Sequence, residues 1–285
     1  MTDLQPSKAP GLSVIIPASN EEAYLGDCLR ALLASGPVPG GAEAIIVANG
    51  CDDRTASIAR EFRDRAVVSG WGWRVIELEQ GSKIGALNAG DQAASGDLRA
   101  YLDADVIVSP PLMARLQQAL SQAMGPVYAS GRPHIPRPQS KVTRAYAHLW
   151  QRLPFARSPA PGYGLFAVNR PGRARWGAFP AIISDDTFVR LQFAPHERIE
   201  VDAPYDWPMV EGWSHLVRVR RRQDAGVAEI AARWPELLAN EAKPPLRAGE
   251  LLGLALRAPL GFAVYAAVSL AVRRGRQPQA WTRGR

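Results

Sequence analysis

Residues 98–105 read Leu98-Arg99-Ala100-Tyr101-Leu102-Asp103-Ala104-Asp105. A short apolar run stops on two acids one residue apart. A helical pattern with Pro near its first turn follows over 110–124. The run reads as a buried strand, and the acids stand where that strand leaves its sheet. Working back toward the N-terminus, apolar runs at 12–16, 44–48 and 74–78 read the same way. Between them lie helical spacings over 20–33, from Asp53 through Phe62, and over 82–94. Strands apolar on both faces, separated by helices, predict an α/β domain on a mainly parallel central sheet flanked by helices. Such sheets bind ligands at the carboxyl ends of their strands. The residues to watch are therefore 17–22, 49–53 and 103–105.

The composition agrees with this class. The chain has 285 residues, 47% hydrophobic and 21% charged, which argues against disorder, collagen and coiled coil. A net charge of +7 suits a phosphate-bearing partner: nucleic acid, an anionic membrane or a small phosphorylated substrate. Cys28 and Cys51 form no CxxC, and no secretory signal pattern opens the chain, so the reading is a cytoplasmic catalytic domain.

The second half is less regular. Residues 132–139 read as a basic Pro-rich loop, 163–168 as a strand, and 179–190 as a turn leading into a helix. Lys243-Pro244-Pro245 reads as a hinge. Residues 251–272 are apolar except for Arg257, contain Pro259, and are followed by Arg273-Arg274-Gly275-Arg276. That length can span a bilayer, but an arginine near the centre costs about 2–3 kcal/mol. A span, an interfacial helix and a packed core helix all stay open, and the basic flank favours the inner, anionic face of the cell membrane. The organisation expected is a tail at 1–10, a catalytic domain at 11–240 with halves at 11–125 and 126–240, and an apolar helical tail at 241–285.

Three clusters can carry chemistry. Asp103 and Asp105 can share a hard divalent cation while leaving positions for phosphate oxygens. Asp as a helix cap is the plainer reading of the same residues. Asp185-Asp186 can supply a general base, or merely favour a helix start through the dipole. Arg218, Arg220, Arg221 and Arg222 can clamp a diphosphate, or form a solvated helix face. No GxxxxGK[ST], GxGxxG or GxSxG is present.

The order of these features is more specific than any one of them. The chain resembles a family 2 glycosyltransferase of the Rossmann-like GT-A fold. Ser13-Val14-Ile15-Ile16-Pro17-Ala18-Ser19-Asn20-Glu21-Glu22 is similar to the family's first strand and nucleotide loop. Residues 45–55 resemble its second strand and turn, and residues 81–90 its Lys-Gly-x-x-x-Asn-x-Gly segment. Leu102-Asp103-Ala104-Asp105 falls at its Asp-x-Asp, and Gly177-Ala178-Phe179-Pro180 with Ser184-Asp185-Asp186 at its acceptor loop and Glu-Asp motif. The resemblance covers about residues 11–230.

The resemblance implies an inverting transfer of one sugar from a nucleoside diphosphate sugar, a UDP-sugar favoured, to a hydroxyl of a glycan or lipid-linked acceptor. Pro17, Ser19, Glu22, Asn49, Lys83, Asp103 and Arg222 would bind the donor. Asp103 and Asp105 would hold Mn²⁺ or Mg²⁺. Asp186 would be the catalytic base, with Asp185 in place of the usual Glu. The chain departs from the pattern at Ala48-Asn49, where many members carry an acid. Val219 and Gln223 replace the Gln and Trp of the Gln-x-x-Arg-Trp motif, so the processive signature is absent. The rivals are a nucleotidyltransferase of similar fold, and a non-catalytic protein that binds nucleotide sugars or nucleic acid. Against the first, Asn20-Glu21-Glu22 is acidic where a basic Gly-rich loop belongs. Against nucleic acid, residues 217–223 have no interleaved aromatics.

Overall fold

The computed structural model describes residues 11–242 and 247–274. The expected tail at 1–10, the hinge at 243–245 and the end of the basic flank at Gly275-Arg276 lie outside these residues. The first half alternates as the sequence predicts: β1 (Leu12–Ala18), α1 (Leu25–Leu33), β2 (Ala42–Asn49), α2 (Thr55–Glu61), α3 (Arg63–Val68), β3 (Trp71–Leu78), α4 (Lys83–Ala93) and β4 (Leu98–Leu102). These four strands are parallel. Every residue of β1 and β2 is buried. Leu12, Val14 and Ile16 pack on one face of the sheet with Leu25, Leu29 and Leu32 of α1, while Ile15 meets Leu87 of α4 on the other. Gly90 lets α4 lie close on the sheet, since a Cβ there would fall 2.5 Å from Ile15 Cγ2.

After β4 the chain adds β5 (Ile107–Val108), α5 (Leu112–Gln122), β6 (Tyr128–His134), α6 (Lys141–Trp150), β7 (Leu165–Val168), α7 (Arg170–Arg173), α8 (Asp185–Arg190), β8 (Arg198–Asp206) and α9 (Trp213–Arg233). One eight-stranded sheet results, in the order β3-β2-β1-β4-β7-β6-β8-β5. Four of the seven strand pairings among the described residues are parallel, in keeping with the mainly parallel sheet that the sequence predicts. β7 runs antiparallel to β4 and to β6, and β5 antiparallel to β8, while β6 and β8 are parallel. The basic loop expected at 132–139 is in part strand: β6 extends to His134, and its pairing with β8 is irregular between Ser130 and Arg132, where Gly131 alone stands opposite residues 201–203.

The apolar tail forms α10 (Ala248–Arg257) and α11 (Pro259–Arg274). Pro259 disfavours helical geometry at Ala258, which takes φ −143°, ψ 60°, and the helices bend by 118° there. Among the described residues no single helix is long and apolar enough to cross a membrane. α11 packs on α6 and α9. Gly261 permits that approach, since a Cβ there would lie 2.8 Å from the Ala145 carbonyl oxygen.

Candidate active site

The loops after β1, β2 and β4 open onto one cleft of about 250 Å³, as the parallel half of the sheet requires. Pro17, Ser19, Asn49, Lys83, Asp103, Asp105, Asp185, Asp186 and Arg222 all line it. The cleft therefore gathers nine of the ten donor, metal and catalytic candidates found in the sequence. The exception is Glu22, which falls outside its wall. The backbone reverses at Asn20, with φ +53°, a left-handed conformation that Asn tolerates. Glu21 then reaches the cleft instead. Glu22 turns to the start of α2, where its carboxylate accepts from the Arg54 N–H at 2.9 Å and its own N–H donates to Asp53 at 3.1 Å.

Asn49 lines the wall, but its side chain is committed to backbone. Its amide donates to the Ala18 carbonyl at 2.8 Å, and its carbonyl accepts from the Ser82 N–H at 2.9 Å. Ser82 in turn caps α4, accepting from the Gly85 N–H. Asn49 thus fixes the ends of β1 and β2 to the helix start that carries Lys83. The Lys83 ammonium lies 3.0 Å from Asp103 Oδ1 and 3.3 Å from Asp185 Oδ2. Burial works against its charge, but Asp103, Asp185 and Asp186 outweigh burial and hold its pKa above the ordinary value. Burial pushes the Asp185 carboxyl up to about 6, against the pull of Lys83 and with help from the charges of Asp186 and Asp103. Asp103 and Asp105 sit on a tight turn in which the Val106 N–H donates to the Asp103 carbonyl at 3.2 Å.

Two remote contacts hold the loop that ends in Asp185-Asp186. The Phe179 N–H donates to Asn88 Oδ1 at 2.7 Å, and Asn88 Nδ2 donates back to the Phe179 carbonyl at 3.1 Å. From α9, Glu229 accepts from the Ile183 N–H at 3.0 Å, and Arg233 donates to the Ala181 carbonyl at 2.6 Å. Asn88→Ala removes both bonds to Phe179. It is expected to lower stability by about 2 kcal/mol and to slow any reaction that uses Asp186. Denaturant unfolding beside a kinetic assay checks this, and unchanged stability would contradict the account.

The arginine run does not act as one clamp. Arg220 and Arg222 line the cleft. Arg220 is held by Asp224 at 2.8 Å and by the Tyr265 hydroxyl at 2.9 Å. Arg221 instead donates to the Ala271 carbonyl of α11 at 2.7 Å, and Arg218 is exposed. Tyr146, Trp150, Tyr163 and Trp207 form an aromatic wall at the cleft that the sequence did not announce. They come from α6, from the segment before β7 and from the residue after β8, so no local spacing marks them.

Among the described residues no group of three or more His, Cys, Asp or Glu could hold a metal alone. Asp103 and Asp105 nevertheless fit a hard cation, because such ions take one or two carboxylates and complete their shell with substrate phosphates and water. The charge balance agrees. Glu21, Asp103, Asp105, Asp185 and Asp186 face the cleft against Lys83, Arg220 and Arg222.

A curled mixed sheet whose strand ends present paired acids to a cleft defines a GT-A type α/β protein. The family described as "Glycosyl transferase family 2" matches residues 13–174, and the chain belongs to that family. The glycosyltransferase AglE of Haloferax volcanii is 35% identical over 102 residues, 35% of this chain and 32% of that protein. The chain spans about a quarter to a third of the length of the curated relatives it matches. The mannosyltransferase PcManGT from Pyrobaculum calidifontis, solved with GDP-Man and Mn²⁺, superposes with a TM-score of 0.57 at 20% identity, over 96% of this chain and 79% of that one. S. aureus TarS 1-349 with UDP superposes with a TM-score of 0.51 at 14% identity, over 93% and 92%. At these identities the likeness is one of fold.

Proposed function

We propose that the protein is an inverting glycosyltransferase. It moves one sugar from a nucleoside diphosphate sugar, with UDP the favoured carrier, to a hydroxyl of a glycan or lipid-linked acceptor. One observation carries this reading: Lys83 joins Asp103, after β4, to Asp185, at the start of α8, inside a single cleft that Asp105 and Asp186 also line. GDP-Man in the PcManGT structure and UDP in that of TarS support a nucleotide-linked donor.

The chain's own groups divide the work. Pro17, Ser19 and Asn49 form the wall against which the nucleoside rests, and Asn49 acts by holding the loop ends rather than by reading the base. Asp103 and Asp105 would hold Mn²⁺ or Mg²⁺, which when bound offsets charge on the diphosphate. Arg222 neutralises the leaving group further, with Arg220 beside it. Asp186 takes the proton from the acceptor hydroxyl as it attacks the anomeric carbon. Asp185 is engaged by Lys83 and serves to position that cation. A single displacement from the face opposite the leaving group inverts the anomeric centre.

The test is a panel of UDP-, GDP- and TDP-sugars with Mn²⁺ and candidate hydroxyl acceptors. Release of a nucleoside diphosphate is the expected product. Release of pyrophosphate would replace the proposal with nucleotidyl transfer, and failure of every nucleotide sugar to bind would remove the donor site.

A further inference from the structure

α10 is an apolar helix that the rest of the protein leaves uncovered. Leucine fills four of its ten positions, yet none of its described side chains is buried. Leu252 is 62% exposed and Leu256 74%. The exposed row continues on α11 through Leu260, Ala263, Ala267 and Leu270, a spacing that keeps to one helix face. Arginines border it: Arg247 precedes α10 and Arg257 ends it, and Arg273 and Arg274 end α11, all exposed. Glu250 is the one acid among residues 247–274. The inner side of α11 is occupied by protein, with Val268 buried and Tyr265 stacked on Tyr146 at 5.3 Å.

We propose that the outer faces of α10 and α11 seat on the surface of an anionic lipid bilayer. Ten helical residues reach about 15 Å, half of the hydrocarbon thickness, so α10 cannot cross it. The 118° bend and the packed inner side of α11 keep the pair from forming a straight span. A short helix with exposed leucines at 251, 252 and 256 and arginines at its margins lies in the interface plane, side chains in the acyl boundary and charges among the headgroups. A second copy of the chain is a poorer occupant, because a self-complementary contact would set these arginines against one another. The seat has a consequence for the cleft. α11 rests on α6 and α9, which carry Tyr146, Trp150, Arg220 and Arg222 into it. Docking therefore holds the cleft beside the bilayer, where a lipid-linked acceptor would be met.

The test uses the whole chain and no sugar donor, so its outcome is separate from that of the transfer reading. Co-sedimentation is measured with vesicles of phosphatidylcholine alone and of phosphatidylcholine mixed with phosphatidylglycerol. Binding to the mixed vesicles, weakened by salt, is the expected result. The Leu252→Asp/Leu256→Asp pair is expected to lose about a hundredfold in partitioning, with thermal unfolding unchanged because both positions are exposed. Arg273→Glu/Arg274→Glu is expected to lose the preference for phosphatidylglycerol. Equal binding by the leucine variant and the parent, or no binding to mixed vesicles, overturns the proposal. So does a parent dimer that the leucine variant dissolves, since the occupant would then be a second copy.

Discussion

Asp186→Asn is expected to lower turnover by about a thousandfold while nucleotide binding stays at its parental level. The two acids at the start of α8 are adjacent in sequence but not equivalent in the structure. The Asp185 side chain is 8% exposed and lies 3.3 Å from the Lys83 ammonium. A group so enclosed and so paired cannot swing to an acceptor hydroxyl. Asp186 lines the cleft, and the contact seen for its Oδ1 is the neighbouring Thr187 N–H at 2.6 Å. Asn keeps an oxygen for that N–H, so the helix start survives the substitution and the lost charge is isolated as the cause. Donor binding persists because Lys83, Asp103 and Asp105 are untouched. Isothermal titration with UDP beside steady-state kinetics separates the two effects. Near-normal turnover in Asp186→Asn would remove the base assignment. A collapse of UDP binding would move Asp186 into the donor site.

The first half of the fold was legible because β1 and β2 are buried along their whole length, and such strands must be continuous apolar runs. β6 and β8 were not legible for two different reasons. In β6, Arg132, Pro133 and His134 fall in the Pro-rich stretch that reads as loop, because proline is a residue that strands rarely hold. In β8 the exposed Glu200, Asp202 and Pro204 alternate with the buried Val201, Ala203 and Tyr205. A period of two was there to be found, hidden by residues that strands usually avoid. In the site, residues at strand ends were readable because topology alone brings strand ends together. The Glu21/Glu22 choice was not, since it turns on the sign of one backbone angle at Asn20. Nor was the division of the arginines. Successive residues on a helix point 100° apart, so a run of them cannot all face one ligand.

Chelation of divalent metal is expected to stop transfer, and added Mn²⁺ or Mg²⁺ to restore it, with a span of at least about a hundredfold. The rival view is that Lys83 makes a metal unnecessary, since it already lies 3.0 Å from Asp103. The charge balance argues against that view. Among the described residues five carboxylates face the cleft and three cations answer them, with Lys83 among the three. A nucleoside diphosphate brings further negative charge into a pocket that is already acidic, and like charges at close range oppose its entry. A divalent ion on Asp105 and Asp103 would cancel that excess at the point where the phosphates arrive. Binding can therefore be read without turnover. Mn²⁺ is expected to tighten UDP binding in the parent, and Asp105→Ala is expected to erase the Mn²⁺ effect while leaving metal-free UDP affinity no weaker than before. That last sign is the discriminating one. If Asp105 only capped the turn at Asp103, its loss would weaken UDP binding equally with and without Mn²⁺. Full activity in the presence of chelator would show that Lys83, Arg220 and Arg222 carry the diphosphate alone.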